Sequence, residues 1–158
     1  MDVEKAYRLA REKLNDYGLQ QWDVMLDMAK SRFGCCYHRQ RLITLSKVLI
    51  DLNTEADVLD TILHEIAHAL VGVSHGHDRV WRQKAIDIGC NGKRCYGEHI
   101  IQPPTKYQAM CPSCNTVYHR NRRTPTGIIY FCPPCHRKSL PASLLFVSKE
   151  LSSQYSIA

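Results

Sequence analysis

His64-Glu65-Ile66-Ala67-His68, followed after a short turn by His77-Asp78-Arg79-Val80-Trp81, is the stretch on which the reading of this chain turns. Around it, Ala56, Leu59, Ile62, Leu63, Ile66, Ala67 and Leu70 recur at helical spacing. Asn53 or Thr54 is the expected N-cap, Glu55 and Asp57 fall in the first turn, and Gly72 is the expected stop. Residues i and i+4 share one face of a helix, so His64 and His68 can reach the same metal ion. Glu65 lies beside them, within reach of a water at that ion. Two histidines and a carboxylate are costly on an otherwise apolar helix, and a metal removes that cost. The pattern is the one zinc peptidases use.

A catalytic zinc takes three protein ligands and keeps one position open. The metzincin spacing would place a glycine and then a histidine where this chain has Val71 and Ser74, which excludes that subclass. A carboxylate on the following helix is a second option, and Asp87 is the only acid between Arg79 and Gly89. A histidine in the turn, His75 or His77, is the third. His77 is favoured because it precedes a helix expected from Asp78 to Ile88, with Trp81, Ala85 and Ile88 as its apolar face and Gly89 closing it. A ligand at a helix start is held by backbone. His75 reads as an exposed or supporting residue, and Asp87 stays the rival.

The 158-residue chain holds eight cysteines. Its first residues, Met1-Asp-Val-Glu-Lys, are charged and contain no apolar segment of signal-peptide type, so metal ligation is the better expectation than disulfides. No apolar run reaches the length of a membrane span. Cys111-Pro-Ser-Cys114 and Cys132-Pro-Pro-Cys135 are two knuckles separated by seventeen residues, the spacing of a zinc ribbon. Four thiolates close the coordination shell, so this second zinc would be structural. Cys90 and Cys95 are candidates for a second small metal site, but the simpler reading of them, and of Cys35 and Cys36, is buried or reduced thiols packed as small hydrophobes.

The net charge of +6 is unevenly distributed. Residues 1–92 hold twelve Lys and Arg against thirteen Asp and Glu, whereas residues 93–138 hold eight against one. A basic ribbon interleaved with Tyr107, Tyr118, Tyr130 and Phe131 points to a polyanion partner. Lys106, Arg120, Arg122, Arg123, Arg137 and Lys138 are the expected phosphate contacts, with aromatics available to stack on unpaired bases.

Upstream of the motif, Val3, Tyr7, Ala10, Leu14 and Tyr17 form a helical stripe that Gly18 ends. Trp22 to Asp27 alternates as a half-buried strand, Cys35–Arg39 and Arg41–Leu45 suggest a hairpin, and Ser46–Leu52 a short helix. Leu144–Val147 is expected as a last strand.

His64-Glu-Ile-Ala-His68, the turn, and His77-Asp-Arg-Val-Trp81 resemble the SprT/Spartan-like metallopeptidases. Trp22-Asp-Val, Gly34-Cys35, Leu42-Ile-Thr-Leu-Ser46 and the four-cysteine ribbon extend the resemblance through most of the chain; Asp78 and Val80 depart from it, since many relatives carry a glycine and an acid there. The resemblance implies an α+β fold: a minimal zincin-like domain over residues 1–96, with helices packed on a small antiparallel sheet. A linker over 97–106, a zinc ribbon over 107–140 and a C-terminal strand and tail over 141–158 would follow. It implies a zinc metalloendopeptidase with one catalytic and one structural zinc, and Glu65 as general base. Its substrates would be proteins bound or crosslinked to DNA, in the cytoplasm, nucleus or nucleoid. The alternatives are a non-catalytic nucleic-acid-binding adaptor and a general peptidase whose ribbon only braces the fold.

Overall fold

In the computed structural model, which describes residues 1–149, Asp2 caps helix α1 (Val3–Asp16) by accepting from the Lys5 N–H at 2.9 Å. Ala6, Ala10 and Leu14 line its buried face. Strands β1 (Asp23–Asp27), β2 (Gly34–Tyr37) and β3 (Leu42–Ser46) follow, with a single 3-10 turn over His38–Gln40 and Arg41 in the left-handed region at φ 48° closing the β2–β3 hairpin. Ser46 then caps helix α2 (Lys47–Leu52).

The sheet differs from the antiparallel one expected. Its order is β1-β3-β2, with β3 parallel to β1 and antiparallel to β2. Residues 43–46 of β3 are all buried, while every residue of β2 is half-buried. A simple meander would put half-polar β2 in the centre. Placing β3 there covers the more apolar strand on both sides and leaves β2 as an edge.

Helix α3 (Glu55–Val71) carries the motif. Thr54, not Asn53, is its N-cap, and Thr54 and Asp57 form a reciprocal capping box. Gly72, at φ 83°, ends it. Val58, Ile62 and Ile66 enter the main core with Trp22, Val24, Ile43, Leu45, Leu49 and Ile50. Leu63 and Ala67 face a second cluster with Trp81 and Ala85 of helix α4 (Arg79–Asp87), and Cys90.

The chain divides between Pro103 and Pro104. Residues 97–101, expected as linker, belong to the first unit. Ile100 is buried in its core, and the Ile101 N–H and carbonyl bond the buried Asn53 amide at 2.8 and 3.0 Å. Burying Ile100 and satisfying Asn53 outweighs leaving the segment extended in water.

In the second unit, β4 (Tyr107–Met110) pairs with β5 (Val117–Arg120) and with β8 (Val147–Ser148), and β6 (Tyr130–Phe131) pairs with β7 (Ser143–Leu144). Helix α5 (Pro133–Arg137) begins directly after Cys132. The expected strand over Leu144–Val147 is therefore two short strands on two different sheets. The tail over 150–158 lies outside the described residues. Among the described residues, no helix is long and apolar enough to cross a membrane.

Candidate metal centres and active-site cleft

The three imidazoles singled out in the sequence meet. His77 Nε2 lies 3.0 Å from His64 Nε2 and 3.1 Å from His68 Nε2. Tetrahedral ligands about 2.0–2.1 Å from one zinc sit roughly 3.3 Å apart, so the donor spacing fits that ion. The α3 helix supplies His64 and His68 from one face. The turn after Gly72 delivers His77, and Asp78 fixes the turn by capping α4 at the Trp81 N–H, 3.0 Å away. The other Asp78 oxygen holds His75 Nδ1 at 2.8 Å, so His75 supports the turn and stays out of the cluster. Asp87, the rival ligand, is exposed and bonds Gln83. Among the described residues, the group that gathers here is His64, His68 and His77.

Trp81, 1 % exposed, is the floor of this cluster. Its ring lies 4.6, 5.1 and 4.5 Å from those of His64, His68 and His77. The same burial sets the imidazoles' charge. His64 is pushed down to about 3 and His68 to about 4, by burial first and then by neighbouring histidines. Burial and the nearby Arg94 lower His77 as well. All three are therefore neutral near pH 7, the form that donates a lone pair to a metal.

Glu65 is 7 % exposed and faces the edge strand. Burial pushes its carboxyl up to about 8, against the opposing effects of Arg32 and the Cys36 backbone. A Cβ on Gly34 would stand 2.8 Å from both Glu65 Cγ and Oε1. Only glycine at this place in β2 leaves the carboxylate where it is, a constraint the sequence alone did not reveal. His64, Glu65, His68, His77 and β2 residues Gly34–Cys36 all line one cavity of about 610 Å³. Cys35 and Cys36 are half-buried there and Cys95 is exposed, so of the four remaining cysteines only Cys90 is fully packed. Burial raises the Cys90 thiol to about 11.

The four ribbon cysteines also gather, with all ligand atoms within 4.8 Å of one another. Cys114 Sγ and Cys132 Sγ are 3.6 Å apart, close to the roughly 3.8 Å that tetrahedral thiolates about 2.3 Å from zinc would show. Cys111 and Cys114 come from a tight turn in which Asn115 takes a left-handed φ of 58°, and Cys132 and Cys135 from the start of α5. Tyr118 donates to Cys132 Sγ at 3.1 Å.

Arg120 departs from its expected role. Its guanidinium sits 4.0 Å over the Tyr130 ring and 5.2 Å from that of Phe146, with one nitrogen buried. Packing, not a phosphate, claims this cation, because Arg stacks on aromatic faces more readily than Lys. Tyr107, Tyr118 and Tyr130 are likewise half-buried, and only Phe131 is exposed, stacked on His136. Lys106, Arg122, Arg123, Arg137 and Lys138 are exposed with no ion pair among the described residues.

Residues 4–100 match the SprT-like family. Among solved structures, the chain is similar to the crystal structure of the metallopeptidase zymogen of Pyrococcus abyssi abylysin, with a TM-score of 0.43 and 22 % identity, covering 59 % of this chain and 84 % of that one. No curated protein matches the chain.

Proposed function

Because the chain belongs to the SprT-like family, we propose that it is a zinc-dependent metalloendopeptidase acting on proteins bound or crosslinked to DNA, with its ribbon contacting the nucleic acid. The observation that carries the peptidase reading is the convergence of three neutral imidazoles beside a buried carboxylate, along a free sheet edge. Such an arrangement leaves room for a substrate, whereas a closed structural site has no use for a base.

His64, His68 and His77 would hold the catalytic zinc, which supplies Lewis-acid polarisation of a peptide carbonyl and lowers the pKa of water. Glu65, whose carboxyl the positive charge of a bound zinc would hold ionised against its burial, takes the proton from the attacking water and returns it to the departing amine. As an edge strand, β2 would offer main-chain groups to an extended peptide, which would orient the scissile bond across the cleft. Trp81 keeps water from beneath the imidazoles and fixes their rotamers. Cys111, Cys114, Cys132 and Cys135 would hold the structural zinc.

The nucleic-acid half of the proposal is supported by Lys106, Arg122, Arg123, Arg137 and Lys138, which have no internal charge to answer. The test is proteolysis of casein and histones with and without single-stranded DNA, wild type against Glu65→Gln, with zinc quantified in each sample. Expected are two zinc ions per chain in both proteins, turnover only in the wild type, and stimulation by DNA. Turnover by Glu65→Gln would remove the general-base role. An inactive wild type that binds DNA would make the chain an adaptor, and DNA-independent turnover would leave the ribbon a brace.

A further inference from the structure

Residues 91–96 cross the active-site cleft as a strap fixed at both ends. At one end, Asn91 donates its backbone N–H to Asp60 Oδ1 at 2.8 Å and its side-chain amide to Oδ2 at 2.5 Å. Asp60 lies one turn before His64 on α3. At the other end, the Tyr96 hydroxyl donates to the Ser31 carbonyl at 3.1 Å, three residues before β2 begins. The strap therefore joins the two walls of the cleft, the motif helix and the approach to the edge strand. The Lys93 N–H, bonded to Asn91 Oδ1 at 2.7 Å, stiffens its first turn.

Between these anchors the strap carries Lys93 and Arg94 into the cavity that holds His64, Glu65, His68 and His77. Both cations are exposed, and neither has an ion-pair partner among the described residues. Three other charged side chains line the cavity. Asp60 keeps its negative charge with its oxygens bonded to the neutral Asn91, Arg32 on the β2 side is paired with Asp27 at 2.5 Å, and Glu65 is buried. Lys93 and Arg94 therefore leave the cleft with an excess of positive charge, carried on one wall.

We propose that this strap is the specificity wall of the cleft, and that Lys93 and Arg94 select peptides with an acidic side chain next to the bond that is cut. The word "cut" rests on the peptidase reading above; the selection of acidic peptides does not. A cavity of about 610 Å³ takes a short extended segment, and the strap makes the side chain abutting it meet both cations. A Glu or Asp there gains two attractions, and a Lys or Arg suffers two repulsions. A nucleic-acid backbone is the other anion these cations could meet. They line the same cavity as the three imidazoles and Glu65, so an anion that meets them lies beside the metal centre, where a peptide's side chain would sit.

The experiment uses the full chain as zinc-loaded Glu65→Gln, which binds without turning over. Fluorescence anisotropy measures labelled octapeptides that differ only in Glu, Gln or Lys at one scanned position, and a labelled single-stranded oligonucleotide in parallel. At one or more positions the Glu peptide should bind roughly five- to ten-fold more tightly than the Gln peptide, with Lys weakest, the order expected of two partly screened cations. Lys93→Glu with Arg94→Glu should reverse that ranking, with zinc content and melting temperature unchanged. Three results would each overturn the proposal: no measurable peptide binding, a ranking blind to charge, or a ranking that survives the charge reversal while oligonucleotide affinity falls. Wild-type turnover of casein separates the two layers. Turnover without a ranking removes the strap's role and keeps the peptidase; a ranking without turnover does the reverse.

Discussion

The histidine cluster stands on a helix that the core of the first unit would form in any case, whereas the cysteine cluster stands on turns that little else holds. Helix α3 is seventeen residues long, capped at both ends, and buries Val58, Ile62, Leu63, Ile66 and Ala67. Among the described residues of the ribbon, three of the six that form the buried core, Cys111, Cys132 and Cys135, are themselves candidate ligands, beside Ala109, Ala142 and Leu144. One cluster is thus added to a fold, and the other makes up much of its own core. A metal at the first would serve chemistry on a fold that stands without it; a metal at the second would supply folding free energy.

The largest expected effect breaks the weaker of the two. Cys111→Ser should lower zinc from two to one per chain and unfold the ribbon, since such a site contributes on the order of 10 kcal/mol. Both tryptophans, Trp22 and Trp81, lie in the first unit, so their fluorescence reports that unit alone. It should melt within about 2 °C of the wild type, because its core and caps are intact. Retention of two zinc ions, or a tryptophan transition lowered by roughly 10 °C or more, would erase the contrast.

The converse change touches only the first centre. Gly34→Ala forces the Glu65 carboxylate to move, since the new methyl would stand 2.8 Å from its Oε1. A displaced base costs kcat on the order of 10- to 100-fold while binding is largely kept. Zinc content should stay at two, and KM should change little. A Gly34→Ala enzyme with full kcat would show that Glu65 has room the packing does not suggest. Among the described residues of the ribbon, Gly127 is no counterpart to this sensitivity, because a Cβ there meets nothing within 4 Å.

A smaller effect separates cations within the ribbon. Arg120→Ala should destabilise the ribbon by about 1 kcal/mol through loss of its place over Tyr130. Arg122→Ala should leave stability unchanged, weaken single-stranded DNA binding, and reduce the salt dependence of that binding by about one charge. Equal behaviour of the two variants in DNA titrations and in chelator-induced unfolding would contradict the assignment of Arg120 to packing.

Both clusters were legible in the sequence because ligand spacing is a local property: a helical repeat brings His64 to His68, and a CxxC turn brings Cys111 to Cys114. The element order was legible for the same reason, through stripes and caps. What depended on distant packing was not. Nothing local says that β3 lies between β1 and β2, since strand order follows from which strand can be buried on both sides. Charge alone ranked Arg120 with Arg122, and only the placement of Tyr130 and Phe146 distinguishes them. The expected strand began at Cys35, and only the placement of Glu65 across from Gly34 shows why a glycine stands there. The strap over 91–96 carries no signal beyond its charges, because its anchors, Asp60 and Ser31, are about thirty and sixty residues away.

The smallest effect asks how the histidine scaffold stands without metal. Burial pushes the Asp57 carboxyl up, but hydrogen bonds from Thr54 and His99 outweigh it and hold Asp57 below its ordinary 3.8. Thr54 donates from its hydroxyl at 2.6 Å and its N–H at 3.1 Å, and His99 Nε2 lies 2.9 Å from the other oxygen. A carboxylate whose folded pKa is depressed stabilises the fold fully above its unfolded value and loses that contribution as pH falls through the folded one. In protein stripped of metal, stability read from tryptophan should therefore fall between pH 5 and pH 3 by about 1 kcal/mol more in the wild type than in Asp57→Asn, the usual worth of a cap. Parallel acid limbs would mean that the capping box at the start of α3 adds nothing to the metal-free fold. The scaffold of the histidine cluster would then stand on its apolar core alone, and the contrast with the ribbon would rest on burial and not on caps.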